Sequence, residues 1–364
     1  MRLEYRKDDA MKEENKYLLS IVTPFYKVDM KLFTKCFESL KRQTWGFENL
    51  EWVIVVHNSG PEYLKAVQEL TGGYENVKIY PLDNDRHTPS SPRNYGIERV
   101  SGKYIGFLDA DDAYTESCCQ EVMDNLLETG AQLAVFRFET ESDDPGRLTI
   151  HPYVLVDQTQ KRIVVEHGNW DSRNFIYGAG LNVTSKIYEK AFLDRIGLRF
   201  DEEVPFAEDN LFNLDCFGKA DKICFLPQLI GYRYYLNGGS MVQSFAKTTD
   251  EVMRYAKGIV KIFDHGLASG LYMNYVMWDL LGYQSAIMLA SLDLSLEDRR
   301  QVKDMLYQYL QLLEPIDVSK LYSEKMIRMI MSMPKLVLGH PRLMQNLAGL
   351  MKLLHIDIAS KIQV

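Results

Sequence analysis

Long apolar runs are missing from this chain. No stretch reaches the roughly 18 apolar residues that a membrane-spanning helix requires, so no spanning helix is expected. Cysteine is scarce: Cys36, Cys118, Cys119, Cys216 and Cys224 form no CxxC pair and no metal-ligand spacing. Their odd number points to reduced thiols in a cytosolic compartment. Positive charge is short as well. The net charge of −8 does not suit a polyanion partner, so nucleic acid is not expected. There is no glycine-rich phosphate loop with a lysine and no repeat of solenoid length. Residues 1–17 are polar and carry no apolar core of signal-peptide length. A cytoplasmic protein is expected.

What is present is an ordinary globular balance. Hydrophobic residues make up 46% of 364, enough to core one large domain or two. Leu18 to Thr23 reads as a β-branched strand stopped by Pro24. Residues 30–42 carry apolar side chains at helical spacing. Strands are predicted at 52–56, 77–80, 104–108 and 132–138, and helices at 62–70, 92–100 and 115–128. This alternation predicts an α/β fold with a parallel sheet wound by right-handed crossovers. A surface loop over 140–152 follows, then short strands at 153–156 and 162–165. Helices are predicted at 185–194 and 208–219, and strands at 222–226 and 229–235. From residue 248 the periodicity is helical throughout, and Ser295 with Asp298 reads as a capping box. The expected organisation is a lead-in at 1–17, an α/β domain at 18–242 and an all-helical domain at 248–364.

The chain is organised around one stretch. The apolar run Tyr104 to Leu108 ends in Asp109, Asp111 and Asp112. A buried strand cannot absorb three charges, so the chain leaves the sheet there. Open α/β sheets bind ligands outside the carboxyl ends of their strands. Hard cations such as Mg²⁺ take one or two carboxylates together with substrate phosphates. A divalent cation at Asp109 and Asp111, holding a phosphorylated ligand, fits this pattern. So does a plain helix start, with Asp111 or Asp112 capping a helix near Thr115. The triplet leaves both readings open.

Five segments in fixed order add a resemblance. They are Ser20-Ile21-Val22-Thr23-Pro24-Phe25-Tyr26, the strand at 52–56 with its following loop, Pro92-Arg93-Asn94-Tyr95-Gly96-Ile97, Gly102 to Asp112, and Phe200 to Phe212. Together they resemble the inverting family 2 glycosyltransferases, which have the GT-A fold: a mostly parallel, Rossmann-like sheet flanked by helices. The resemblance covers residues 18–242. It implies a nucleotide-diphosphate sugar donor, a UDP-sugar first among them, and Mg²⁺ or Mn²⁺ as cofactor. The acceptor would be a hydroxyl on a saccharide or lipid carrier in surface polysaccharide or glycolipid synthesis. By the same resemblance Asp111 is the direct metal ligand, while Asp109 faces the ribose and the metal. Asp112 caps the next helix or touches the sugar. Asp209 is the general base of a single inverting displacement; as the second acid of Glu208-Asp209 it also suits a helix start. Thr23, Pro24 and Tyr26 cradle base and ribose, although Pro24 alone reads as a strand stop and Tyr26 as a packing residue. Arg93, Asn94 and Ala110 fall among the donor-binding positions, Arg93 being otherwise a surface arginine.

The chain departs from the family in two places. The loop after the second strand reads His57-Asn58-Ser59-Gly60, where the family has two aspartates. A neutral histidine accepts a hydrogen bond only in the right tautomer, and Asn58 accepts through its carbonyl. A base other than uracil is therefore open. Near the end of the domain Tyr235 falls where the family has an arginine. Arg233, two positions earlier on the same strand face, is the substitute. Two rivals stand beside this reading: a nucleotidyltransferase, and a non-catalytic nucleotide- or sugar-binding module.

From residue 319 onward seven basic residues meet only two acidic ones, among many Leu, Ile and Met. A basic amphipathic helix suits a membrane surface, here the inner face of the membrane. Packing against the catalytic domain, or in a homo-oligomer, is the other reading. Co-sedimentation with anionic liposomes separates them. On the membrane reading the full chain pellets and a chain ending near residue 318 does not; equal binding by both ends that reading.

Overall fold

The computed structural model describes residues 16–86, 88–141, 159–167, 181–204 and 208–235, with isolated positions at 250, 258, 261, 265, 295–298, 300 and 301. By backbone contacts the chain divides into two compact units, Met1–Gly238 with Ala268–Leu271, and Gly239–Leu267 with Tyr272–Val364. The expected strand at 153–156, the loop from 142 to 152, the glycines at 238–239 and nearly all of the C-terminal helices lie outside the described residues. Among the described residues, no helix is long and apolar enough to cross a membrane. At residue 295 the expected cap is present: Ser295 Oγ accepts the Asp298 N–H at 3.1 Å.

The strands are β1 (Tyr17–Phe25), β2 (Leu50–His57), β3 (Val77–Leu82), β4 (Gly102–Phe107), β5 (Ala113–Tyr114), β6 (Leu133–Glu141), β7 (Ile163–Glu166), β8 (Lys186–Glu189) and β9 (Lys222–Tyr235). The helices are α1 (Met30–Lys41), α2 (Pro61–Thr71), α3 (Ser90–Ile97), α4 (Cys118–Thr129), α5 (Lys190–Arg195) and α6 (Glu208–Lys219). One sheet runs β3-β2-β1-β4-β8-β6-β9-β5, with β7 also paired to β9. β3, β2, β1 and β4 are parallel, as is β6 beside β9. β8 runs antiparallel to both β4 and β6, and β5 and β7 run antiparallel to β9. The parallel half follows from the sequence: β1 and β2 are almost wholly buried, as strands covered on both faces must be. The rest of the sheet is mixed, within the mostly parallel arrangement that the resemblance implied.

Three local expectations change. β1 does not stop at Pro24 but runs to Phe25, with Pro24 opposite Val55. Pairing with β4 has already ended at Val22, whose carbonyl takes the Leu108 N–H. Pro24 lies on that same edge of β1, beyond the end of β4, so its missing N–H costs no ladder bond. Residues 186–189 are a strand, not the start of a helix. Ile187 and Tyr188 are fully buried between β4 and β6, and two ladders outweigh a weak helical period. The two strands expected at 222–226 and 229–235 are one, carried through Pro227 with register shifts opposite Phe136–Phe138, a bulge that tolerates a proline.

Two aromatic clusters fill the core. Trp52 stacks between Phe33 and Phe37 at 5.7 and 5.4 Å. Phe200 stacks on Phe212 at 4.1 Å, with Phe107 edge-on to both. All five cysteines are buried and free.

α3 is tied to the segment ahead of α6. Asn94 takes the Phe200 N–H at 2.8 Å and donates to the Phe200 carbonyl at 2.9 Å and to Glu202 at 3.0 Å. Ser90 and Ser91 donate to Asp201 and Glu202. Asn94→Ala would orphan both buried backbone groups of Phe200. At about 1–3 kcal/mol for each unmade bond, the variant should lose about 2–6 kcal/mol. Urea unfolding with an unchanged slope reads this, and a loss below about 0.5 kcal/mol would show that other contacts hold the segment.

Candidate active site

The carboxyl ends of β1, β2 and β4 lie at one edge of the sheet, and the acidic turn leaves β4 there. Asp112 N–H closes the turn on the Asp109 carbonyl at 3.1 Å. The three aspartates then part company. Asp112 is buried: it accepts the Tyr232 hydroxyl at 2.5 Å and the Tyr235 N–H at 2.9 Å. Burial, with Asp111 and Asp109 close by, pushes its carboxyl well above the usual range. Asp112 therefore locks the turn to β9. It neither caps a helix nor stands open to a sugar. The next helix starts only at Cys118, after β5, with Ser117 at its cap position, so neither Asp111 nor Asp112 is the expected cap. Tyr232 also receives the Asp109 N–H at 3.3 Å, so one phenol holds both ends of the turn. Ala110 is buried within it. Asp109 and Asp111 are the partly exposed members.

Arg93 is the centre of the site. It sits on α3 with a side chain only 6% exposed. One arm of its guanidinium donates to Asp109 at 3.0 Å and the other to Glu208 at 2.6 Å. Its Cζ lies 5.5 Å from the Phe200 ring. Burial works against the charge, yet Asp109, Glu208 and Asp209 outweigh it and push the pKa up. Arg93 is thus no surface arginine. It joins the acidic turn to the acids of α6, and Glu208 is a participant that the sequence pattern did not single out.

Asp209 is the second residue of α6, in the first turn, where the helix dipole favours an anion. Burial and Glu208 push its carboxyl up, Arg93 and Lys186 pull it down, and it settles at about 7. A carboxyl in that range can exchange a proton near neutrality.

The loop after β2 is braced from within. His57 is buried, with Nε2 2.9 Å from Asn84 Oδ1. That oxygen also takes the Arg86 N–H at 2.9 Å. It is therefore an acceptor, and His57 donates from Nε2. Asn58, at φ 48°, takes the Asn84 N–H at 3.0 Å and donates to the Arg86 carbonyl at 2.8 Å. Ser59 Oγ accepts the Lys27 N–H at 3.0 Å and so joins the loops after β1 and β2.

The other expected site residues are not all open to a ligand. Thr23 is fully buried and accepts the Trp52 indole N–H at 2.8 Å, so its hydroxyl belongs to the core. Pro24 is partly exposed, and Tyr26 is 55% exposed at the strand end. The Asn94 amide is occupied by Phe200 and Glu202. Arg233 pairs with Glu139 across β6 and β9 at 2.8 Å. It lines a cleft of about 630 Å³ with Lys35, Arg42 and Tyr235, and none of Asp109, Asp111 and Asp209 lines that cleft.

Among the described residues no three acidic, histidine or cysteine side chains form a ready-made metal cage. Two partly exposed carboxylates at a strand end instead suit a cation that completes its shell with substrate phosphates.

Comparison with known proteins agrees with this architecture. Residues 20–176 match the model of glycosyl transferase family 2. The uncharacterized glycosyltransferase EpsJ of Bacillus subtilis (strain 168) is 25% identical over 298 residues, covering 80% of this chain and 83% of that one. The poly(ribitol-phosphate) beta-N-acetylglucosaminyltransferase TarS of Staphylococcus aureus (strain Mu50) is 24% identical over 238 residues, covering 65% of this chain and 39% of TarS. The crystal structure of S. aureus TarS 1-349 in complex with UDP superposes with a TM-score of 0.61 at 19% identity, over 81% of each chain. The fold is GT-A, and the protein is a sugar-transferring enzyme. Its likeness to glycosyl transferase family 2 lies in residues 20–176.

The buried arginine gives a direct test. Arg93→Met leaves Glu208 and Asp109 without their cation, and breaking a buried pair costs about 3–5 kcal/mol. Arg93→Lys restores the charge but not the two-armed geometry, and should recover only part of the melting temperature and activity. A lysine variant equal to wild type in both would show the fork to be dispensable.

Proposed function

We propose that this enzyme moves a sugar from a nucleotide-diphosphate donor to a hydroxyl acceptor with inversion, Asp209 acting as base. The observation that carries the reading is the Arg93 bridge. Close to the acidic turn, where a diphosphate would be held, it leaves a half-buried carboxyl that its surroundings raise to about 7. The acceptor hydroxyl gives its proton to Asp209 as its oxygen bonds to the anomeric carbon. The bond from that carbon to the diphosphate breaks, and its electrons leave with the nucleoside diphosphate. Asp111 and Asp109 would hold Mg²⁺ or Mn²⁺. Such an ion, when bound, stabilises the charge on the departing diphosphate.

The remaining assignments rest on placement. Tyr26 and the loop at His57-Asn58 would receive the nucleotide base. TarS has been captured with UDP, which favours a UDP-sugar here. TarS is named for a poly(ribitol-phosphate) acceptor, and B. subtilis GgaA, 34% identical over 204 residues, for minor teichoic acid synthesis. Both favour a surface polysaccharide as acceptor. A basic C-terminal stretch would keep the enzyme near a lipid-linked acceptor.

Three measurements test the reading. Among UDP, GDP, CDP and dTDP with Mn²⁺, UDP should raise the melting temperature most, and Asp111→Asn should abolish the manganese-dependent part. Asp209→Asn should keep nucleotide binding and slow nucleoside diphosphate release from the donor by about 10²- to 10⁴-fold. A protonated Asp209 cannot accept a proton, so wild-type kcat/KM should fall as pH drops below about 7. Equal release by wild type and Asp209→Asn overturns the base.

A further inference from the structure

Two buried phenols brace the segment that carries the acidic turn. Tyr114 of β5 and Tyr232 of β9 are paired across the sheet, with ring centroids 5.7 Å apart and the rings nearly edge to face. The Tyr114 hydroxyl donates to the Phe107 carbonyl at 2.9 Å, where β4 ends. A Cβ on Gly106 would lie 2.9 Å from that same hydroxyl, so glycine leaves room for the contact. Ser39 Oγ of α1 holds the Tyr114 N–H at 3.3 Å.

Tyr232 acts two residues further along, on the turn itself. Residues 109–112 are closed by the Asp112 N–H on the Asp109 carbonyl at 3.1 Å, with Ala110 and Asp111 as the central pair. Three of the four carry carboxyl groups, and like charges press such a turn open. The Tyr232 oxygen accepts the Asp109 N–H at 3.3 Å, and its proton goes to Asp112 Oδ2 at 2.5 Å. One hydroxyl therefore bonds to the first and the last residue of the turn. The other Asp112 oxygen takes the Tyr235 N–H at 2.9 Å, and the Asp109 carbonyl also meets Cys36 Sγ at 3.7 Å. With both ends fixed in this way, the direction in which Asp111 leaves the turn is fixed as well.

We propose that Tyr232 is a positioning residue for the cation: its hydroxyl, bonded to both ends of the turn, sets the directions in which Asp109 and Asp111 present their carboxylates. This rests on the reading of those two acids as the protein ligands of Mg²⁺ or Mn²⁺. Tyr232→Phe removes the hydroxyl and keeps the ring. Calorimetry on the full chain should find UDP binding in Mn²⁺ weakened about 10- to 100-fold, the usual cost of losing a group that orients a metal ligand. UDP binding in EDTA should be unchanged. Tyr114→Phe, which frees the Phe107 carbonyl and leaves the turn bonded, should lower the melting temperature and keep the wild-type affinity in Mn²⁺. Should Tyr232→Phe fail to fold, Asp112→Asn reads the same affinity: its carbonyl keeps the Tyr235 bond, and its amide cannot take the phenol's proton. Undiminished affinity in Mn²⁺ overturns the proposal. So does an equal loss in Tyr114→Phe, or an equal loss in EDTA, since either makes Tyr232 a general support of the fold. Wild-type binding of UDP that does not respond to Mn²⁺ overturns the cation reading, and this role with it.

Discussion

The site depends on one buried guanidinium. Arg93 lies among three carboxylates, and without it α6 could not bring Glu208 and Asp209 up to the acidic turn. Like charges so close in a poorly solvated interior would repel or take up protons. With the arginine in place, one planar group satisfies Asp109 and Glu208 at once. That geometry suits arginine because its donors are fixed in a fork. The same residue links the end of the sheet that would hold the donor to the helix that carries the base.

Around this centre, polar side chains act as staples. Asn94 fixes the segment 200–202 that leads towards α6. Asn58 fixes the turn at 84–86 over the end of β2. Tyr232 and Asp112 fix the acidic turn to β9. In each case the side chain satisfies backbone groups that a loop would otherwise leave to water. The loops at the carboxyl edge of the sheet are thereby held in one arrangement, and pre-set geometry is what a displacement reaction needs.

Burial also divides the acids by task. Asp112 is turned inward and kept from the solvent, Asp109 and Asp111 stay partly open, and Asp209 is raised towards neutrality by burial. Residues with the same chemistry differ here only through their surroundings. Two carboxyl groups whose environments push them apart are a recurrent way of dividing roles in one site.

The sequence by itself determined what depends on near neighbours. The buried β1 and β2, the amphipathic α1, and the acids that end the β4 strand were legible because side-chain period and strand ends are local. α6 was found with its limits at 208 and 219. The ordered motifs also carried the family resemblance. Only the tertiary structure decided the partners. β8 became a strand because β4 and β6 offered ladders on both sides. Thr23 and Asn94 turned to Trp52 and Phe200 because those buried polar groups needed partners. Arg93 found Glu208, 115 positions away, and Lys186 came to rest beside α6. Ion pairs and burial join residues far apart in the chain, and no spacing in the sequence records which charge will be enclosed with which.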